Sequence, residues 1–232
     1  MLRDETALEE MDRPDCDPDL LDRTYAQFPL VNSAVSGWGG LYRELIRPVL
    51  RRDRASSLLD IGSGGGDISL ALARRARRDG FQVQVTGIDP DERAHRFATR
   101  AHARTGDPAV TFRRAASGEL VAAGETFDIV ISNHVLHHLL PAELRGLLAD
   151  TEALTGRLAI HSDIVRSRAA LVLFGAATLP LARRSFIRRD GLTSIRRSYL
   201  PGELRAAAPP GWQVLRRRPY RNLLVYRAGE QP

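Results

Sequence analysis

Apolar runs and two-residue alternation mark out seven strand-like stretches along the chain. The first lies at residues 57–60, S-L-L-D, apolar until the acid that ends it. Residues 81–88, F-Q-V-Q-V-T-G-I, alternate and are rich in β-branched side chains. Residues 109–114, 126–132 and 156–162 have similar character, and 212–217 and 220–226 alternate near the end. Between the first five, residues 68–78, 91–104 and 141–154 place apolar positions at helical spacing. Strands and helices in alternation predict a single α/β domain with a mainly parallel sheet, its last two strands pairing antiparallel. Upstream, residues 19–28 and 34–50 read as a helical cover, punctuated by Pro29 and by Ser36-Gly37. Residues 1–18 are acidic, proline-punctuated and weakly patterned, so a frayed start is expected.

One stretch breaks the pattern. Residues 169–182, A-A-L-V-L-F-G-A-A-T-L-P-L-A, are apolar nearly all round. They are too few to span a bilayer as a helix. A buried helix, a lid over an apolar pocket and a membrane-surface element are the readings left. Residues 183–199 are basic and partly helical, and 201–207 form another short helix. The organisation read from these elements is a cover at 1–54, a cofactor core at 55–163, a substrate-region insertion at 164–211 and terminal strands at 212–232.

Composition changes this picture little. A hydrophobic content of 43% and a charged content of 27% are ordinary for a soluble globular chain. The lone Cys16 excludes an internal disulfide framework and a cysteine metal cluster. The polar, acidic start carries no secretory leader, so a cytoplasmic protein is expected. Every one of the 34 basic residues is arginine. Fourteen of them lie from Arg166 onward against three acids, Asp190, Glu203 and Glu230. Such asymmetry fits an acidic partner or a membrane surface. A nucleic acid substrate is disfavoured: Asn133 is followed by His134 rather than by an N-P-P-Y-like motif, and no RNA-binding appendage is apparent.

The chemistry concentrates where the first strand ends. Asp60 precedes a turn containing Gly62, Ser63, Gly64, Gly65 and Gly66, and a helix follows. Strand, glycine turn and helix open a nucleotide-binding α/β unit. A carboxylate beside the turn repels a pyrophosphate and suits a cationic ligand. The run L-L-D-I-G-S-G-G-G-D resembles the D-x-G-x-G-x-G motif of class I S-adenosylmethionine-dependent methyltransferases. That resemblance covers residues 58–161 well and the terminal strands loosely. It implies a Rossmann-like seven-stranded sheet with an antiparallel last strand, and S-adenosylmethionine as cofactor. Asp60, Gly62, Ser63, Gly64 and Gly66 would then cradle the cofactor. Asp89, with Pro90 behind it, ends the second strand and would hold the ribose hydroxyls. Related enzymes place an acid after the third strand for the adenine amino group. Ala116 stands there instead, so Ser117 or backbone groups would substitute. Asn133 and His134, after the fourth strand, complete the cofactor set. Tyr25, Trp38 and Arg43 of the cover are further candidates, Arg43 as partner of the methionine carboxylate.

Methyl transfer is an in-line displacement, and a hydroxyl acceptor must also lose a proton. His134, His137 and His138 cluster after the fourth strand, and Asp163 ends the fifth. Similar small-molecule O-methyltransferases use a histidine of an L-H-H segment with an acid in that place. His137 or His138 is therefore the expected base, oriented by Asp163. No predicted helix carries an H-x-x-x-H pair, so no metal is expected. The function expected is methylation of a hydroxyl on a hydrophobic small molecule, phenolic or polyketide-like, of the kind made in secondary metabolism. The segment F-D-I-V-I-S-N-H also resembles ubiquinone/menaquinone methyltransferases, which makes carbon methylation of a quinone-type ring the alternative. A protein that binds the cofactor without turnover is the reading from another class.

Overall fold

The computed structural model describes residues 1–229. Seven strands form one sheet: β1 (Ser56–Ile61), β2 (Val83–Asp89), β3 (Val110–Arg114), β4 (Phe127–Asn133), β5 (Thr155–Ile164), β6 (Gln213–Arg217) and β7 (Arg221–Arg227). Their order is β3-β2-β1-β4-β5-β7-β6. The first five run parallel, and β7 is antiparallel to both β5 and β6. This is the expected Rossmann-like sheet with its antiparallel last strand.

The helices are α1 (Pro18–Val35), α2 (Trp38–Leu41), α3 (Asp67–Arg78), α4 (Glu92–Thr105), α5 (Ser117–Ala122), α6 (Pro141–Leu154), α7 (Arg168–Ala177), α8 (Ile187–Arg197) and α9 (Pro201–Ala207). Both faces of the sheet are covered, which explains why the central strands read as continuous apolar runs. Alternate residues feed two cores. Leu58, Ile129, Ile131 and Leu158 pack with Ile68 and Leu72 of α3, whereas Leu59, Val130 and Ala159 pack with Leu144 and Leu148 of α6.

The N-terminal third departs from the sequence reading. Pro29 does not end a helix; α1 runs through it. Asp17 caps its start by accepting from the Asp19 and Leu20 amides, and Leu21 and Tyr25 bury against Ala94 and Phe186. Packing outweighs the one backbone bond that proline removes. Residues 34–50 are not one helix either. Gly37, at φ 64°, breaks the chain, and α2, a π turn (Tyr42–Ile46) and a 3-10 turn (Arg47–Val49) follow. The frayed start is also corrected. Glu9 is buried, the Asp4 amide donates to the Arg196 carbonyl, and the Glu10 and Met11 amides donate to Asp190. Residues 1–12 form a strap across the carboxyl ends of the strands, held by polar bonds rather than by the apolar periodicity that a sequence displays.

Residues 169–182 become α7 followed by a 3-10 turn (Leu179–Leu181). The buried-helix reading fails, because Val172, Leu173 and Leu179 are 70%, 58% and 62% exposed. Among the described residues no helix is long and apolar enough to cross a membrane.

Candidate active site

The carboxyl ends of β1, β2, β4 and β5, the strap, α1, α7 and α8 enclose a cavity of about 820 Å³. Parallel strands converge their chemistry at this end. Asp60, Gly62, Ser63, Gly64, Asp89, Pro90, Asn133, His134, His137 and His138 all line it. Gly66 lies just behind the wall at the start of α3, and Asp163 lies behind His137.

Three predicted residues sit elsewhere. Arg43 is exposed on the π turn and does not line the cavity, because that turn carries its side chain outward. Ala116 is exposed at the start of α5, where its amide donates to Glu119. The Ser117 hydroxyl donates to Asp150 at 2.6 Å. Neither Ala116 nor Ser117 contributes to the wall. A guanidinium that does line the cavity is that of Arg221 of β7, which donates to the Ser36 carbonyl. Sequence spacing gave no signal for it, since β7 lies far along the chain from the glycine turn.

The cofactor half is built on the glycine turn. Gly62 takes φ 67°, and a Cβ there would stand 2.6 Å from a Val135 methyl, so a side chain is excluded by both backbone and space. The Gly64 amide donates to one oxygen of Asp89 and the Asp91 amide to the other, each at 2.9 Å. These bonds fix the Asp89 carboxylate while leaving lone pairs for a ligand. Trp38 is not in the wall but donates its indole N–H to Asn133 at 2.9 Å, setting that amide's orientation. His134 adopts φ 60°, and its Nε2 is shielded from solvent without a protein partner. Burial pushes its pKa down to about 4.

Asp60 is almost fully buried and accepts the Ser69 hydroxyl at 2.6 Å. Burial pushes its pKa up to about 7, against the Ser69 bond. A buried acid of this kind gains from a cation placed beside it. The turn therefore fits S-adenosylmethionine, whose ammonium and sulfonium supply positive charge. A pH dependence follows. Below about pH 7 the free protein holds Asp60 protonated, and binding of a cation must expel that proton. Cofactor affinity should therefore fall by up to about tenfold per pH unit between pH 7 and 5.5. Calorimetry across this range checks it, and Asp60→Asn should flatten the profile.

The second half of the site centres on two adjacent histidines. Asp163 accepts from the His137 amide at 2.7 Å and meets Nδ1 of the same residue at 2.8 Å. Nε2 of His137 faces Glu9 at 3.2 Å, and the Ser194 hydroxyl donates to Glu9 at 2.6 Å. Burial alone would lower the pKa of His137, but Asp163 and Glu9 raise it to about 10. The same contacts overcome burial and hold both carboxylates near 2. The pairing expected from sequence is thus present for His137. His138 is half-buried with its ring 4.2 Å from that of His137, and its Nδ1 lies 3.2 Å from Asp12.

The turn that carries both histidines is itself clamped. Arg197, buried on α8, donates to the carbonyls of His137, His138 and Ala7. Glu9, Asp12, Asp190, Ser194 and Arg197 all line the cavity and were missed from sequence. Glu9, His137 and His138 bring one ligand atom each within 4.8 Å of one another, a spacing open to a metal ion. Both nitrogens of His137 already have carboxylate partners, Asp163 and Glu9. His161 does not join it: the ring stacks on Trp212 within the core, and Nδ1 meets the Ser132 hydroxyl at 2.6 Å.

Comparison with known proteins places this geometry. Residues 58–155 match the family model described as Methyltransferase domain. The ubiquinone biosynthesis O-methyltransferase of Rhizobium etli is 35% identical over 124 residues, which cover 53% of this chain and 47% of that protein. The chain thus spans about half the length of the curated relatives it matches. A SAM-dependent methyltransferase from Aquifex aeolicus superposes with a TM-score of 0.55 at 14% identity, covering 91% of this chain and 98% of that one. Magnesium protoporphyrin IX methyltransferase from Synechocystis with bound SAM superposes with a TM-score of 0.50 at 17% identity, covering 96% and 98%. Residues 58–155 are thus similar to a methyltransferase domain, and the sheet and glycine turn that hold them have the fold of the S-adenosylmethionine-dependent methyltransferases. The cofactor bound in the Synechocystis structure, S-adenosylmethionine, is the one that the glycine turn and Asp60 of this chain fit.

Proposed function

We propose that the chain methylates a hydroxyl on a hydrophobic aromatic acceptor, a phenol of the quinone-precursor type. The observation that carries this reading is a histidine–carboxylate cluster and a set of apolar side chains lining one cavity. Leu8, Phe28, Val31, Leu173 and Phe174 supply the apolar lining, and His138 and Glu9 line the same cavity. A phenol needs both: a group to take its proton and apolar surface for its ring and chain. The relatives' own function, O-methylation in ubiquinone biosynthesis, supports the hydroxyl over a ring carbon. When bound, the cofactor supplies an activated methyl carbon and keeps the electron pair of the broken carbon–sulfur bond. The chain's own residues position the acceptor, exclude water and take the proton.

The test is methyl transfer from labelled cofactor to a series of 4-alkylcatechols. kcat/KM should rise by up to about fourfold per added methylene until the wall is filled, from about 0.8 kcal/mol per buried CH₂. Leu173→Asp should flatten the series. The exposed Val172 and Leu179, with Arg183 and Arg184 beside them, favour a second role for this face: peripheral contact with an anionic membrane that holds such acceptors. Flotation with phosphatidylglycerol liposomes reads it, since electrostatic attachment weakens with salt and a lid's effect does not. A flat series and empty liposomes together would leave the hydrophobic acceptor without support.

A further inference from the structure

Two histidines next to each other in sequence, stacked in space, have opposite hydrogen-bonding states. His137 has a carboxylate on each ring nitrogen, Asp163 at 2.8 Å and Glu9 at 3.2 Å, and is 1% exposed. With both nitrogens serving as donors it has no lone pair to offer. His138 has one carboxylate, Asp12, at 3.2 Å from Nδ1. Its Nε2 lies 4.0 Å from Glu9, beyond hydrogen-bond range, and the side chain lines the cavity. A proton on Nδ1 that faces Asp12 leaves Nε2 bare.

Both new carboxylates come from the strap, and the strap is fixed. The Glu10 and Met11 amides donate to Asp190 at 2.7 and 3.1 Å. Arg93 donates to the Met11 and Arg13 carbonyls at 3.0 and 2.8 Å, bracketing Asp12. The charged groups that face His138 are Asp12 and Glu9 from the strap, His137 from its own turn and Asp89 from the end of β2. Arg197 of α8 spends its charge on the His138 carbonyl.

We propose that the strap belongs to the catalytic apparatus: Asp12 orients His138 as the base, and Glu9 locks His137 as a fixed positive post beside it. The assignment rests on the hydroxyl-acceptor reading. In the step, the acceptor oxygen forms a bond to the methyl carbon as the carbon–sulfur bond breaks. The hydroxyl proton passes to Nε2 of His138, and the Nδ1 proton stays shared with Asp12. Asp12 acts through His138 and is a positioning residue. His138 touches the reacting hydroxyl.

Two measurements on the full chain test this, the first with S-adenosylmethionine as methyl donor and the second with S-adenosylhomocysteine bound. The first compares 4-nonylcatechol with 4-nitrocatechol, whose more acidic hydroxyl is largely ionised near neutral pH and needs no base. His138→Gln should lower kcat on the nonyl compound by about 10²–10⁴-fold and Asp12→Asn by about tenfold or more, whereas both should lose less than about threefold on the nitro compound. Equal losses on both acceptors, with cofactor affinity intact, overturn the base role. Wild-type protein inert toward both overturns the hydroxyl reading and the base role with it. The second needs no acceptor: nitrogen-15 imidazole spectra at pH 8.5. A proton on Nδ1 of His138 in the wild type, redistributed in Asp12→Asn while the His137 resonances stay put, supports the dyad. A proton on Nε2 in the wild type overturns it, whatever the acceptor.

Discussion

Replacing Asp163 with alanine is expected to destabilise the fold by about 3–5 kcal/mol, because it breaks a buried ion pair from one side only. Asp163 is 3% exposed and accepts from two amides, His137 and Ile164, each at 2.7 Å, besides meeting the His137 ring. Alanine leaves those amides without an acceptor and leaves an imidazolium balanced by Glu9 alone. Asparagine retains one oxygen and should cost less. The loss should depend on pH in a definite direction. His137 titrates near 10 in the fold against 6.5 for an ordinary histidine, so its stabilising contribution is complete below about pH 6.5 and is lost as pH rises through 10. Asp163 and Glu9 are held near 2 against 3.8 and 4.5, so theirs is present above about pH 4.5 and is lost as pH falls through 2. Urea titrations should show the largest gap between wild type and Asp163→Ala near pH 5–6.5 and a smaller one at pH 9.5. A gap that stays constant across this range would mean that the cluster is not ionised as drawn.

The same residues show which parts of this molecule can be read from a sequence. The sheet was legible because its signal is local. Leu58 and Leu59 point to opposite faces and enter different cores, so a two-sided apolar run could only be a central strand. The glycine turn was legible because only glycine tolerates what Gly62 must do. Asp60, Asp89, Asn133 and His134 lie in the wall because they end parallel strands, and topology alone carries them there. Arg43 was misplaced for the complementary reason. Helical spacing put it on a face of a helix, but Gly37 and a π turn rotated that face away.

Glu9 and Asp12 were not legible at all. They lie more than a hundred residues from His137 and His138, in a stretch whose apolar residues Leu2 and Leu8 stay exposed. The strap is held by single polar bonds to Arg93, Asp190 and Arg197, and such bonds leave no periodicity. An acidic, unpatterned start is also what a frayed start looks like. The difference lies in partners that only the fold brings near. For the same reason the Asp163 pairing was visible, since its partner follows the neighbouring parallel strand, whereas the carboxylates on the other side of the histidines were not.

Asp89→Ala is the variant expected to weaken cofactor binding most cleanly. The carboxylate is fixed before any ligand arrives, by the Gly64 amide on one oxygen and the Asp91 amide on the other. Asp89 lines the cavity, where two adjacent hydroxyls of a ribose would match its two oxygens. Loss of hydrogen bonds to a charged acceptor costs about 1.5–3 kcal/mol, or roughly ten- to a hundredfold in affinity. Part of that loss belongs to the turn rather than to the ribose, because alanine also frees the Gly64 amide. Asp89→Asn separates the two. Its side-chain oxygen can still accept from Gly64, but its NH2 group is a donor only and accepts neither from Asp91 nor from a ribose hydroxyl. Binding of S-adenosylhomocysteine should then fall in two stages, modestly for asparagine and further for alanine, with the melting temperature of the free protein lowered less by asparagine than by alanine. Unchanged affinity in folded Asp89→Ala would remove this residue from the cofactor site and leave its carboxylate as a brace for the glycine turn.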